Sequence, residues 1–126
     1  MAKAIRIRVY GGPELEVELG RENRGVADSI LSALPMESKI HRWGDEVYFE
    51  TPVEAEGDVA KEDVEVGDVA YWPEGKAICI FFGPTPMSRG DKPRAYSPVY
   101  VFGKVLGDPG ALRKVAEGAR VRVEAL

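Results

Sequence analysis

The run Gly67 to Pro86, GDVAYWPEGKAICIFFGPTP, restricts the fold more than any other stretch of the chain. Asp68 to Trp72 and Ala77 to Phe82 are short apolar segments, rich in β-branched and aromatic residues, which reads as two strands. Pro73-Glu74-Gly75-Lys76 between them is turn chemistry, because proline presets one backbone angle and glycine admits a tight return. The pair predicts a hairpin. Its second strand is apolar at every position. A half-wet antiparallel strand would alternate, so this one needs the core on one face and a helix or loop over the other. Gly83-Pro84-Thr85-Pro86 closes the run, since neither proline can donate to a strand ladder.

The rest of the chain supplies more short strands. Ile5, Ile7 and Val9 alternate with Arg6, Arg8 and Tyr10, and Leu15, Val17 and Leu19 alternate with Glu14, Glu16 and Glu18. With Gly11-Gly12-Pro13 between them they predict an antiparallel hairpin, with Arg6 and Arg8 facing Glu16 and Glu18. The period changes after Gly25. Val26, Ile30, Leu31 and Leu34 share a helical face, Asn23 or Asp28 stands near its start, and Pro35 ends it. Strands are expected at Ser38 to Arg42 and Glu46 to Glu50, around the turn Trp43-Gly44-Asp45. Residues 52–66 are acidic and poor in large side chains, which reads as a loop or short excursion. Val99 to Lys104 reads as a strand. Asp108-Pro109 is an N-cap followed by proline at the first helical position. Leu112, Val115 and Ala116 face inward on that helix, Gly118 stops it, and Val121 to Glu124 is the last strand.

About eight strands and two helices without regular alternation argue against a parallel doubly wound sheet. A closed barrel with helices over its ends leaves no exposed edge. The expectation is a mainly β, single-domain fold over residues 1–126.

Composition narrows the partners. The chain carries 21 acidic and 17 basic residues, a net charge of −4, and no basic run with interleaved aromatics, so no nucleic-acid partner is expected. No apolar run approaches the roughly 18 residues of a membrane span, and MAKAIRIRVY enters a strand without the apolar region of a signal peptide. A cytoplasmic protein is expected. Cys79 is the one cysteine and His41 the one histidine. No disulfide, metal site or cofactor is expected, and Cys79 reads as a small buried hydrophobe. The chain has no glutamine and one asparagine, with abundant Glu, Lys and Arg, a composition that suggests a thermophile.

Two motifs carry a family resemblance. VFGKVLGDPGALRKVAEG, Val101 to Gly118, resembles the cyclophilin stretch in which a Val-Phe-Gly-Lys-Val strand leads into a short helix. RWGDEVYFE, Arg42 to Glu50, together with Gly67 to Pro86, resembles the TM1367-like (DUF369) cyclophilin-like proteins over essentially the whole chain. The resemblance implies a closed eight-stranded β-barrel capped by two short helices. It does not imply prolyl isomerisation. That site in cyclophilins uses a Phe-x-Arg strand, a Phe-x-Met-Gln segment and a histidine before the Val-Phe-Gly strand. Here Val47-Tyr48-Phe49-Glu50 lacks the arginine, glutamine is absent, and Val99 precedes Tyr100-Val101-Phe102-Gly103. Fold does not carry activity with it.

The candidate site is an aromatic and proline-lined cleft near residues 82–98, made from Trp43, Tyr48, Phe82, Pro84, Thr85, Pro86, Arg89 and Tyr96, with Trp72 and Met87 in the same cluster. Thr85 and Arg89 are the polar groups expected to orient a ligand. Pro84, Pro86, Pro93 and Pro98 stiffen the loop. The expected partner is a small molecule or peptide. The alternatives are an enzyme in the same cleft, as a weak prolyl isomerase or a small-molecule enzyme, and a homo-oligomer whose exposed aromatics form the interface. Asp45 and Glu46 do not read as a catalytic carboxylate pair, because neighbouring strand residues point to opposite faces. His41 reads as a structural residue. Arg89-Gly90-Asp91 reads as solvated loop, and Gly11-Gly12-Pro13 lacks the context of a phosphate loop.

Overall fold

The structure, a computed structural model, describes residues 3–126. β1 (Ala4–Val9) and β2 (Glu14–Leu19) form the first hairpin, with Ile5 opposite Val17 and Ile7 opposite Leu15. The alternation buries these four side chains and leaves the charges outside. The register sets Arg6 against Glu16 and Arg8 against Glu14, while Glu18 faces Ala4. Both guanidiniums converge on Glu14, Arg6 at 3.3 Å and Arg8 at 3.0 Å. The expected pairing is thus displaced toward the turn by the hairpin's register.

α1 (Arg24–Ser32) buries Val26, Ala27 and Ile30. Asn23 occupies its N-cap position with a left-handed φ of 57° and makes no side-chain cap. Its side chain reaches instead into the acidic segment. Nδ2 donates to the carbonyls of Val59 and Val101, and Oδ1 accepts from the amides of Asp58 and Val59. The amide is saturated, with two donors and two acceptor positions used. It ties residues 58–59 to the neighbouring sheet.

The remaining elements are β3 (Met36–Arg42), β4 (Glu46–Glu50), β5 (Lys61–Asp63), β6 (Asp68–Trp72), β7 (Ala77–Phe81), β8 (Arg94–Leu106), a 3-10 helix (Pro109–Lys114) and β9 (Arg120–Ala125). Pairing runs β2-β1-β9-β3-β4-β7-β6-β8, and β8 returns to pair with β2, so eight strands close into a ring. Every pairing is antiparallel. β5 attaches to β8 outside the ring.

The described residues therefore form nine strands where eight were expected. β5 is three charged residues with no periodicity to betray it. It is held through Arg94, which bonds Glu62 at 2.7 Å and Asp63 at 3.0 Å. β8 begins five residues before the expected Val99, because its first half pairs with β5. The second helix is a short 3-10 segment. Asp108 caps it by accepting from the Gly110 amide, and the backbone is extended at Val115, well before Gly118. With only six residues it does not recover the expense of α-helical nucleation.

Two cores result. Ile78, Ile80, Val47, Phe49, Val69, Tyr71, Phe82 and Phe102 belong to the main one, inside the ring. Ala70, Cys79 and Phe81, on the opposite face of the same strands, form a second with Val64, Ala95 and Val99. Val64, just past β5, and the first half of β8 are the cover that an apolar β7 demanded. No helix among the described residues is long and apolar enough to cross a membrane.

Candidate functional site

The site lies on the outer face of the ring, at the margin of the second core. β4 turns Val47 and Phe49 into the main core, so the strand's alternation turns Glu46 and Tyr48 outward. Register places Tyr48 opposite Cys79 on β7, and Cys79 opposite Ala70 on β6. Trp72 ends β6 on the same face. β8 contributes Ala95, Tyr96 and Val99, and the β3–β4 turn contributes Trp43. Together these side chains line a cavity of about 220 Å³.

Its floor is buried: Cys79, Ala95, Val99 and Glu46 are each 4% exposed or less. Its walls are four aromatic rings. Tyr48 meets Trp72 with centroids 5.8 Å apart and planes at 81°. Trp72 meets Tyr96 at 6.1 Å and 77°, and Tyr96 meets Trp43 at 5.9 Å and 79°. Successive rings thus stand nearly perpendicular, in the edge-to-face arrangement that aromatic quadrupoles favour. The Trp72 indole N–H is spent on Ser97 Oγ at 2.7 Å, and Ser97 in turn bonds Glu74. Trp72 is therefore fixed in place.

Glu46 is the one carboxyl among the lining residues. Burial raises its acid well above the usual carboxylate range, to about 7, with a smaller opposing effect from the Cys79 thiol. Burial likewise pushes the Cys79 thiol well up, helped by the adjacent Glu46, and pushes the Tyr48 phenol up. The neighbouring cations are engaged elsewhere. Arg42 donates to the carbonyls of Arg113, Val115 and Gly44, and its guanidinium stacks over Phe82 at 5.1 Å. Arg94 is held by Glu62 and Asp63. Asp45 points away from Glu46 toward Arg42 and Arg113.

Of the eight residues expected at the site, Trp43, Tyr48 and Tyr96 line this cavity. Phe82 is 1% exposed within the main core. The elbow Pro84-Thr85-Pro86 lies beneath the Trp43 turn. The Asp45 amide donates to the Pro84 carbonyl at 3.0 Å, and a Cβ on Gly44 would come within 2.8 Å of Pro86 Cδ. Thr85 is buried and closes its own turn, accepting from the Met87 amide and donating to the Arg94 carbonyl. Arg89 borders a separate surface depression with Asp63, Asp91 and Arg94. His41 bonds Glu117 at 2.7 Å and flanks Tyr48 with ring centroids 5.2 Å apart. Sequence reasoning passed over Glu46 as a site residue. The signal was its outward parity on β4, shared with Tyr48. Two larger depressions, one beside Arg21 and Arg24 and one beside Tyr10 and Lys114, contain no buried titratable group. No group of three or more His, Cys, Asp or Glu residues gathers for a metal ion among the described residues.

The family described as cyclophilin-like matches residues 3–124. The chain belongs to the cyclophilin-like family. The hypothetical protein AF2241 from Archaeoglobus fulgidus, solved in solution, is similar at 46% identity over 99% of this chain and 95% of its own, and superposes with a TM-score of 0.84. McbB in complex with tryptophan is similar in fold alone, at 19% identity and a TM-score of 0.76, over 95% of this chain and 44% of that one. No curated protein matched the cyclophilin-like chain in sequence.

Proposed function

We propose that this cyclophilin-like protein is a small-molecule binding module whose site is the aromatic cleft over β4, β7 and β8. The observation that carries this reading is the convergence of four aromatic walls on a concave floor that buries a carboxyl. A few polar groups in an apolar concavity are the usual composition of ligand sites. At about 220 Å³ the cavity falls below the roughly 300–1,000 Å³ of drug-sized ligand sites. That suits a small ligand or one head group rather than a dinucleotide.

The test is direct because the chain has two tryptophans, Trp43 and Trp72, and both line the cleft. A ligand there changes intrinsic fluorescence saturably and raises the melting temperature by linkage. McbB was solved with tryptophan, so indole-bearing amino acids head the panel, followed by aliphatic and aromatic amines, alcohols and acids. Fluorescence unmoved by every class, with no thermal shift, would overturn the reading.

A second reading is favoured by Glu46 itself. A carboxyl that titrates near neutrality beside a ligand can donate and accept a proton in one cycle. In that reading the cleft is the active site of a small-molecule enzyme, and Glu46→Gln abolishes turnover of a bound compound while leaving its binding measurable. Prolyl isomerisation has no comparable support, since the arginine, glutamine and histidine of that site are missing.

A further inference from the structure

Resting on the binding cleft proposed above, we infer that its ligand is a small organic cation, an alkylammonium or quaternary ammonium compound, held with its charge inside the aromatic box and against the Glu46 carboxylate. Three independent features of the cleft point there. The walls are the first. A cation is attracted to the face of an aromatic ring when it lies within about 6 Å of the centroid. Tyr48, Trp72, Tyr96 and Trp43 are spaced 5.8 to 6.1 Å from one another in sequence around the cavity, with planes turned by 77° to 81°. A group the size of an ammonium in such a box is within reach of several rings at once.

The floor is the second feature. Glu46 is 4% exposed and lines the cavity. Among the described residues no lysine, arginine or histidine forms an ion pair with it, although Arg42 and Arg94 lie on adjoining segments and are paired to others. A buried carboxylate without a counter-charge is strongly disfavoured, and a bound cation would supply the missing charge. The third feature is the Trp72 indole. Its N–H is already given to Ser97, so Trp72 offers the cleft no donor that an anion would seek.

The groups facing Glu46 fix how such binding responds to pH. They are the Cys79 thiol from β7, the Tyr48 phenol from β4 and the Tyr96 phenol from β8, while Asp45 beyond the turn is turned away and paired with Arg42 and Arg113. None of the cleft's own groups brings a positive charge. In the empty cleft Glu46 holds its proton up to about pH 7. A cation selects the ionised carboxylate and displaces that proton. Affinity therefore rises up to about tenfold per pH unit below 7 and levels off above it.

The test compares choline with its uncharged isostere 3,3-dimethylbutan-1-ol, and n-butylammonium with n-butanol, on the full chain by tryptophan fluorescence and calorimetry. The expected result is at least about tenfold tighter binding of each cation than of its isostere at pH 8. Glu46→Gln should weaken the cations by about tenfold or more and remove their pH dependence. Glutamine matches glutamate in size, and an unaltered near-ultraviolet dichroism spectrum certifies that the variant keeps its folded aromatic walls. Alcohols binding as well as the cations would overturn the inference while leaving an apolar ligand site intact. Neither cation producing a saturable response up to tens of millimolar would also overturn it, and indole compounds then decide whether the cleft binds anything. Free trimethyllysine should bind at least as tightly as a peptide containing it. A peptide bound about tenfold more tightly would overturn the small-molecule assignment in favour of a polypeptide.

Discussion

Gly75 packs against the indole of Trp72 so closely that a Cβ built there would overlap ring atoms Cζ3 and Cε3. The β6–β7 turn thus seats one wall of the cleft, and only glycine leaves room for it. Gly75→Ala forces the indole or the turn to move, and overpacking of this kind destabilises by about 1–3 kcal/mol. We expect a loss of that size in urea unfolding, together with an altered near-ultraviolet dichroism band from the displaced Trp72. A variant whose aromatic spectrum matched the parent would show that the cleft does not depend on this contact.

Asn23 anchors the acidic segment, and the four hydrogen bonds of its side chain all end on backbone groups of Asp58, Val59 and Val101. Asn23→Ala orphans them and also places a non-glycine, non-asparagine residue at φ 57°. Asp58 and Val59 lie at the surface, where water replaces part of what is lost, so we expect about 1–3 kcal/mol of destabilisation. Asn23→Gly relieves the backbone but not the lost bonds and should recover only part of it. Hydrogen exchange at the amides of Asp58 and Val59 should accelerate more than at Ile78. Uniform acceleration would mean that the clasp is not local.

The ring was legible because its strands carry their own pattern. Alternation in β1 and β2, and the unbroken apolar run of β7, each state how many faces are buried. β5 was not legible: Lys61 pairs with Val99 of β8, Glu62 and Asp63 bond Arg94 across 32 and 31 residues, and no local period marks such a strand. The site was half legible for a similar reason. Trp43, Tyr48 and Tyr96 announce themselves by type, whereas Glu46 becomes a site residue only because the aromatic side chains and β8 residues beside it strip it of water. Pro84-Thr85-Pro86 advertised a loop of chemical interest, and in the structure it braces the turn that presents Trp43. Conformationally restricted residues mark where the chain is held, which need not be where a ligand sits.

Cys79 should be chemically silent in the folded protein. Its thiol is buried and its ionisation is pushed well up, first by desolvation and then by Glu46. Thiolate is the reactive form, so an aromatic disulfide reagent should label Cys79 only at the rate at which the protein opens. Labelling in buffer should be slower than in denaturant by orders of magnitude, and mass spectrometry of the quenched reaction checks it. Rapid labelling of the native chain would mean that the cleft floor opens readily.

Glu46 makes a quantitative prediction about pH. Its acid is raised from 4.5 to about 7, with burial the leading cause. Between those values the folded chain keeps a proton that the unfolded chain has released. Stability must then fall as pH rises, because the slope has the sign of protons bound unfolded minus protons bound folded. The contribution is fully present below about 4.5, declines through neutrality and is gone above the folded value. A shift of this size corresponds to a swing on the order of 3 kcal/mol. Glu37 and Glu117 act in the opposite sense. Glu37 is held low by Arg120 and Arg122, and Glu117 by the Arg42 amide and His41, so their contributions are lost as pH falls. They are unchanged in Glu46→Gln and cancel in the difference between the two proteins. The stability of Glu46→Gln minus that of the parent, from urea unfolding at successive pH values, should therefore rise from pH 4.5 to 8 and then flatten. A flat difference throughout would show that the Glu46 carboxyl is hydrated in solution, and with that the basis for its role in the cleft would be lost.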